Sequence, residues 1–414
     1  MTKRGSDLRW VLFEEVTEKF KKSGPNLSDT ILSYLKRRTR IFKNPLIKFV
    51  LKCFRINYSI FSPIAIKKGE KRILFQYGLI RYDSIIEKAS KKNAIILGLK
   101  KSVLWDFLSR RTMYFPIFDN VYLNLYLGLI NNNEDYLNKS LDELKNVLKY
   151  LNPDVVVLND DHLPASRALV LVSKELGIPT IAIQDGIYQS NSIIPSGKYV
   201  DYVFVWGEYF KELYVNRGIK EKDKIKVLGY PYELKIDYNL KENEKKIVYY
   251  LGQNFEDYDG GILDLKIETI KDLNRLCNNL GFDFRYRAHP QENLGFLKTK
   301  LPDIKFTPKR ETLLRSFKYG NVFISFNSTS LVEAALLSKI CIQLKNYPVL
   351  SDDFEELGIC PTFYNLKEVA DFLKNLSQKK KESQFYTWKV NEKYVEIPNP
   401  DIGTKFLELI IDII

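Results

Sequence analysis

Residues 153–186 read PDVVVLNDDHLPASRALVLVSKELGIPTIAIQDG. The run at 154–158 is Val-rich, apolar from Val155 onward and of strand length. Residues 164–176 follow with the composition of a helix, stopped by Gly177 and Pro179. A second apolar run, 180–183, is again the length of a strand. Strands that are apolar on every residue are buried on both faces, and two of them joined through a helix pair in parallel. This stretch therefore predicts one half of a doubly wound α/β sheet.

The same alternation extends outward. Upstream, 72–77 reads as a strand, followed by a tight turn at Gly78, a helix to about residue 92 and a strand at 94–97. Residues 113–149 are mostly helical in pattern and stop before Pro153. Downstream, 202–206 is one more strand. A polar stretch with Gly229, Pro231 and residues 235–246 then reads as an interdomain connection. After it the pattern restarts, with strands at 247–251, 282–287, 321–326 and 340–344. Helices are expected at 262–280, 311–317, 329–337 and, last, 404–413. The expected architecture is α/β, with two Rossmann-like domains facing a cleft and a helical N-terminal extension. The expected spans are a basic helical region at 1–60, an acceptor domain at 61–240 and a nucleotide-sugar domain at 241–414. A chain of 414 residues, 45% of them hydrophobic, is long and apolar enough for two such cores.

Composition narrows the class. No apolar stretch approaches the roughly 18–20 residues that cross a bilayer, and the first ten residues carry Lys3, Arg4, Asp7 and Arg9 instead of a signal core. A cytoplasmic protein is expected. Cys53, Cys277, Cys341 and Cys360 stand apart without CxxC spacing, as buried small residues do in a reducing compartment. With only His162 and His289 in the chain, a multi-histidine metal centre is not expected. The net charge of +13 is uneven: residues 1–55 hold fourteen basic residues against five acidic ones. Between residues 36 and 55 eight cations and no acid interleave with apolar residues. That pattern suits a helix lying on an anionic membrane surface, at the inner face for a cytoplasmic protein, and equally a helix packed on the first domain. No nucleic-acid recognition motif accompanies it.

Ligands of open α/β sheets bind at the carboxyl ends of the strands, which selects the five segments 159–162, 184–186, 206–207, 288–290 and 327–330. In the turn after 180–183, Asp185 precedes Gly186. It is a candidate general base for an acceptor hydroxyl, or else an Asp that caps the turn. After 282–287, His289 precedes Pro290. An imidazolium there, with Arg287 beside it, would donate to a phosphate oxygen; the alternative is a histidine satisfied by backbone carbonyls. After 321–326, Ser328 and Thr329 stand over the free N–H groups of a helix start, an anion site that is also an N-cap. Glu333, one turn into that helix, would reach ribose hydroxyls or support the first turn. In Asn159-Asp160-Asp161-His162, Asp161 is read as a helix cap, and Asp160 as a cap or an acceptor contact.

The order of these motifs, an acid-Gly turn, an HP pair and a Ser/Thr pair opening a helix, resembles bacterial sialyltransferases and Kdo transferases of capsule synthesis, which are GT-B enzymes. The stretch quoted above, VWGEYFKELYVNRGI (205–219) and KVLGYP (226–231) also resemble surface-polysaccharide biosynthesis proteins more broadly. The likeness spans residues 145–344 and departs in three places, the first being Asp185, where many relatives have a His in a QHG turn. Gln184 stands where the sialyltransferase pattern prefers a second acid, and Ser338-Lys339-Ile340 replaces the frequent Gly-x-Pro of donor sites. The resemblance implies a metal-independent glycosyltransferase without cofactor, taking a nucleotide-sugar donor, CMP-activated by preference, and a glycan or glycolipid acceptor. It implies Asp185 as base, with His289, Ser328 and Thr329 on the donor phosphate. Gln184 and Asp160 are expected near the acceptor. A non-hydrolysing nucleotide-sugar epimerase, a CDP-alditol phosphotransferase and a non-catalytic scaffold of a capsule complex are the alternatives.

Overall fold

A computed structural model describes residues 71–76, 94–98, 124–161, 164–187, 197–234, 246–253, 260–308, 311–378, 390–396 and 401–414, with Ile85 and Lys88, apart from a few single positions inside those ranges. The basic segment 36–55, together with Cys53, Gly78 and His162, lies outside the described residues.

The first half of the chain supplies strands β1 (Lys71–Phe75), β2 (Ala94–Gly98), β3 (Val155–Leu158), β4 (Thr180–Ile183), β5 (Tyr202–Val205) and β6 (Ile225–Val227). They form a six-stranded sheet in the order β2-β1-β3-β4-β5-β6, every pair parallel. The apolar strands are two-faced, as expected. Val156, Leu158, Ala182, Val203 and Val205 enter one core, with helices α1 (Glu134–Leu151) and α2 (Pro164–Glu175). Their sequence neighbours Val155, Val157, Ile181, Ile183 and Phe204 enter another. Asn133 caps α1, its side chain accepting from the Asp135 and Tyr136 amides. Asn152 ends the helix in the left-handed conformation one residue before Pro153. Helix α3 (Glu208–Asn216) and β6 were not anticipated; α3 seats Phe210 and Tyr214 in the core.

The second half repeats the plan with β7 (Ile247–Leu251), β8 (Asp283–Arg287), β9 (Val322–Ser325), β10 (Ile340–Leu344) and β11 (Thr362–Phe363). Their order is β11-β10-β9-β7-β8, again all parallel. Helices α4 (Gly260–Asn279), α5 (Leu294–Lys300) and α8 (Leu366–Gln378) cover one face, where Val248, Tyr250, Val322 and Ile324 are buried. Helices α6 (Leu313–Tyr319) and α7 (Thr329–Leu336) cover the other, with Tyr249, Leu251 and Phe323. Strand β11 and helices α5 and α8 were also unanticipated. Yet α8 buries Val369, Leu373 and Leu376, an i, i+4, i+7 stripe that the sequence displays openly.

The last helix departs from expectation. Helix α9 (Ile402–Ile411) was assigned with 241–414 to the second unit, but it packs on the first sheet. Phe406 lies with its ring centroid 5.8 Å from Phe75 and 6.0 Å from Phe204. Both faces of the second sheet already carry helices, whereas α1 and α2 cover only one face of the first. The apolar stripe of α9 (Ile402, Phe406, Leu407, Ile410) packs on the other face, in one cluster with the helical Ile85. Residues 390–396 lead there: Tyr394 is wedged against Tyr209 and Phe210, at 5.0 and 4.8 Å between ring centroids. The Glu396 amide donates to the Trp206 carbonyl at 2.9 Å.

Candidate functional site

In each parallel sheet the carboxyl ends of the strands lie along one edge, and the two edges meet. The turn after β4 touches the start of α7: the Ile187 amide donates to Thr329 Oγ1 at 3.3 Å. A Cβ on Gly186 would lie 3.3 Å from the same hydroxyl, so the approach is close. The acid-bearing turn of one half and the Ser/Thr helix start of the other therefore share one crevice.

Asp185 is half-buried there, and its Oδ1 accepts from the Tyr232 hydroxyl at 2.5 Å. Tyr232 stacks edge-on with Tyr230, centroids 5.3 Å apart, and the Tyr230 hydroxyl donates to Glu333 Oε1 at 2.5 Å. Gly229–Tyr232, expected to begin a connection, is thus part of the site. Gly229 adopts φ +91, which only glycine takes without strain, and so turns Tyr230 into the buried position between the halves. Glu333, expected at ribose, is held by a first-half tyrosine.

Gln184, expected near the acceptor, is fully buried and structural. Its Nε2 donates to the Gly186 carbonyl at 2.9 Å and its Oε1 accepts from the Trp206 amide at 2.9 Å. Trp206 Nε1 donates back to the Gln184 carbonyl at 2.8 Å. An amide beside a tight turn has both a donor and an acceptor to give, and the turn takes both. Asp161, read as a cap of α2, is engaged by the loop before β5. Its buried carboxylate accepts from the Gly197 and Tyr199 amides at 2.8 and 2.6 Å, tying down the loop before β5. Asp160 is half-buried, close enough to Tyr126 to help burial raise that phenol's pKa.

In the second half Ser328 is the N-cap of α7, its hydroxyl accepting from the Ser330 amide at 3.2 Å. Two strands away, about 10 Å at ordinary sheet spacing, His289 follows β8. The turn after β7 lies between them and joins them. Gln253 Oε1 accepts from the Asn327 amide at 3.1 Å, and the two side chains are also hydrogen-bonded. On the other side Gly252 packs against Tyr286 and Glu292 so closely that a Cβ would collide with both. Glu292 accepts from the Tyr286 hydroxyl at 2.6 Å and from the backbone amide of His289. Lys266, fully buried on α4, forms an ion pair with Glu292 and donates to the Gln253 carbonyl at 3.1 Å.

Burial lowers the His289 pKa; the Glu292 charge opposes this and Lys266 adds to it. The expected imidazolium is therefore replaced at neutral pH by a neutral ring with one N–H to donate. Arg287 is turned to α6 instead of standing beside His289 as a second free cation. Its guanidinium donates to the Glu311 carbonyl at 3.2 Å and to Ser316 Oγ at 2.9 Å.

Asp185, Ser328, Thr329 and Glu333 are thus gathered at one crevice, with His289 on the same edge of the second sheet. Sequence reasoning missed Tyr230, Tyr232, Gln253, Lys266 and Glu292. The signal for Gln253 was available, since it ends a strand like the other selected turns. Lys266 sits amid apolar residues of an amphipathic helix, where a lysine invites the question of its partner. The tyrosines left no such trace. Among the described residues no three His, Cys, Asp or Glu side chains form a group that could hold a metal ion, and no helix is long and apolar enough to cross a membrane.

No protein-family model matches the chain, and no curated protein matches it by sequence. Solved structures share its fold. UDP-GlcNAc 2-epimerase from Neisseria meningitidis, bound to UDP-GlcNAc, is 15% identical over 82% of this chain and 100% of its own, with a TM-score of 0.56. The Methanocaldococcus jannaschii UDP-GlcNAc 2-epimerase is 17% identical over 83% and 100%, with a TM-score of 0.54. The wall teichoic acid polymerase TagF is 15% identical over 92% and 97%, with a TM-score of 0.50. At these identities the likeness establishes the architecture: two Rossmann-like halves facing a cleft, of the GT-B type.

Proposed function

We propose that the chain is a glycosyltransferase that moves a sugar from a nucleotide-activated donor to a surface polysaccharide or glycolipid acceptor. One observation carries this reading: the Ile187–Thr329 hydrogen bond, which brings the Asp185 turn against the N-terminus of α7. A carboxylate facing an anion-binding helix start is what acceptor activation beside a departing phosphate requires. In the proposed step the acceptor oxygen forms a bond to the anomeric carbon and gives its proton to Asp185. The bond from that carbon to the donor phosphate oxygen breaks, and the electron pair leaves with the nucleotide. The amides of α7, the hydroxyls of Ser328 and Thr329 and the His289 N–H would stabilise the charge growing on the phosphate. Tyr232 would fix the Asp185 rotamer. The motif resemblance favours a CMP-sugar; among structures of this fold, the Neisseria epimerase holds UDP-GlcNAc and a TagF structure was soaked with CDPG.

A thermal-shift screen with CMP, CDP, UDP and GDP tests the reading, because a ligand that binds only the folded state raises its stability. One nucleotide should shift the transition, and Asp185→Ala and His289→Ala should each abolish transfer from its sugar conjugate. Near-normal turnover in both variants removes the scheme.

A second reading is a nucleotide-sugar epimerase. The Tyr232–Asp185 pair at 2.5 Å would serve to withdraw and return a proton on the sugar itself. Consumption of the sugar nucleotide with no acceptor present distinguishes it.

A further inference from the structure

Helix α4 carries Lys266 fully buried, and Glu292 facing it is 7% exposed, directly beneath the turns proposed to hold the donor phosphate. Three donors converge on the two carboxylate oxygens of Glu292: the Lys266 ammonium, the Tyr286 hydroxyl and the His289 backbone N–H. Only an ionised carboxylate accepts from all of them, since a carboxamide would turn an NH2 group against one donor. The same ammonium also donates to the Gln253 carbonyl, and Gln253 in turn grips Asn327, the residue before Ser328. One lysine thus stitches together the ends of β7, β8 and β9. It also neutralises the carboxylate nearest His289.

We infer that the Lys266–Glu292 ion pair is the positioning device of the phosphate site: it sets the His289 turn against the start of α7 and cancels a negative charge that would repel the donor phosphate. This rests on the proposed nucleotide-sugar reading. Buried, the pair lies beyond the reach of salt screening and is pre-formed before any ligand arrives. Lys266 and Glu292 are positioning residues; neither needs to touch the donor. Among the described residues, Glu292 and Lys266 act on the His289 ring through their charges.

The test compares nucleotides with their own nucleosides by calorimetry on the full chain: CMP and CDP with cytidine, UDP with uridine, GDP with guanosine. Lys266→Met leaves the Glu292 charge without its partner. It should weaken the bound nucleotide by roughly 10-fold or more, a charge effect at close range, and leave the nucleoside within about twofold. Lys266→Met/Glu292→Gln removes both charges and should recover the part of the phosphate-dependent loss that is due to the unpaired Glu292 charge, leaving the part due to the lost turn contacts. Equal losses for nucleotide and nucleoside, or no loss, would overturn the inference while leaving the proposed function standing. If the wild-type chain binds none of the four nucleotides, it is the proposed function that falls. Because Lys266→Met could fail to fold, Glu292→Gln carries a second arm that needs no ligand. With two histidines in the chain, the His289 ring can be followed by NMR against a His162→Gln reference. Its pKa should fall in Glu292→Gln and rise in Lys266→Met where that variant folds. An unmoved His289 titration in Glu292→Gln would show that the pair does not act on the turn.

Discussion

At the scale of single residues, chemistry here depends on what holds each group more than on what the group is. His289 sits after a strand and before a proline, and from spacing alone it reads as a cation for phosphate. Burial lowers its pKa, so the folded ring binds fewer protons than the unfolded one between the lowered value and about 6.5. Its contribution to stability is complete above about pH 6.5 and is lost as pH falls through the folded value. Urea titrations of the wild type at pH 7.5 and 5.5 should show the stability falling, and His289→Gln should flatten part of that fall. A bound phosphate favours the protonated ring, so nucleotide affinity should rise as pH drops over the same window. That dependence should shrink in His289→Gln, leaving the share due to the phosphate's own protonation. The placement of Asp185 and His289 just past strand ends was legible because the runs before them mark where β4 and β8 stop. Gln184 was misread for the opposite reason: next to a tight turn, a polar side chain is often spent on the turn itself, and nothing in the string QDG shows which neighbour faces inward.

At the scale of elements, the mostly apolar runs were the reliable guide. The bounds of β4, β7 and β10 coincide with the expected runs because both sheet faces are covered, which makes most of their residues apolar. Short elements escaped because three residues in β6 and two in β11 carry no period. Helix α9 was visible as a helix, but its partner was not. Its apolar stripe fits any uncovered sheet face, and only the count of helices already seated on each face decides between them. Phe406→Ala should accordingly weaken the first sheet and not the second. The expected loss is about 3–5 kcal/mol by urea denaturation, with hydrogen exchange rising in β1, β3 and β5 and unchanged in β8 and β9. Uniform exchange across both sheets would mean that the two halves unfold as one unit.

At the scale of the whole molecule, the halves are joined by a shared apolar cluster and by polar contacts that cross the crevice. Tyr230 is the most telling of these, a fully buried first-half ring whose hydroxyl reaches Glu333 on α7. Tyr230→Phe keeps its packing against Trp206 and Tyr232 and removes only the donor. It should lower the unfolding free energy by about 1.5–3 kcal/mol, the range for a hydrogen bond to a charged group, measured by urea titration. A change below about 0.5 kcal/mol would mean that water replaces the hydroxyl without loss. The two-part plan of the molecule was legible from the restart of the strand–helix pattern at residue 247. Which side chains reach across was not, because contacts between distant turns leave no local spacing to read.

The return of α9 to the first sheet has a mechanical consequence. The backbone passes from one half to the other after residue 234 and comes back before residue 390, so the second half is hung from the first at two points, like a gate on two pins. If the halves move, two pins would limit them to an arc about the line between them, which would carry the edge bearing Ser328 and His289 toward or away from Asp185 without letting the two edges slide out of register.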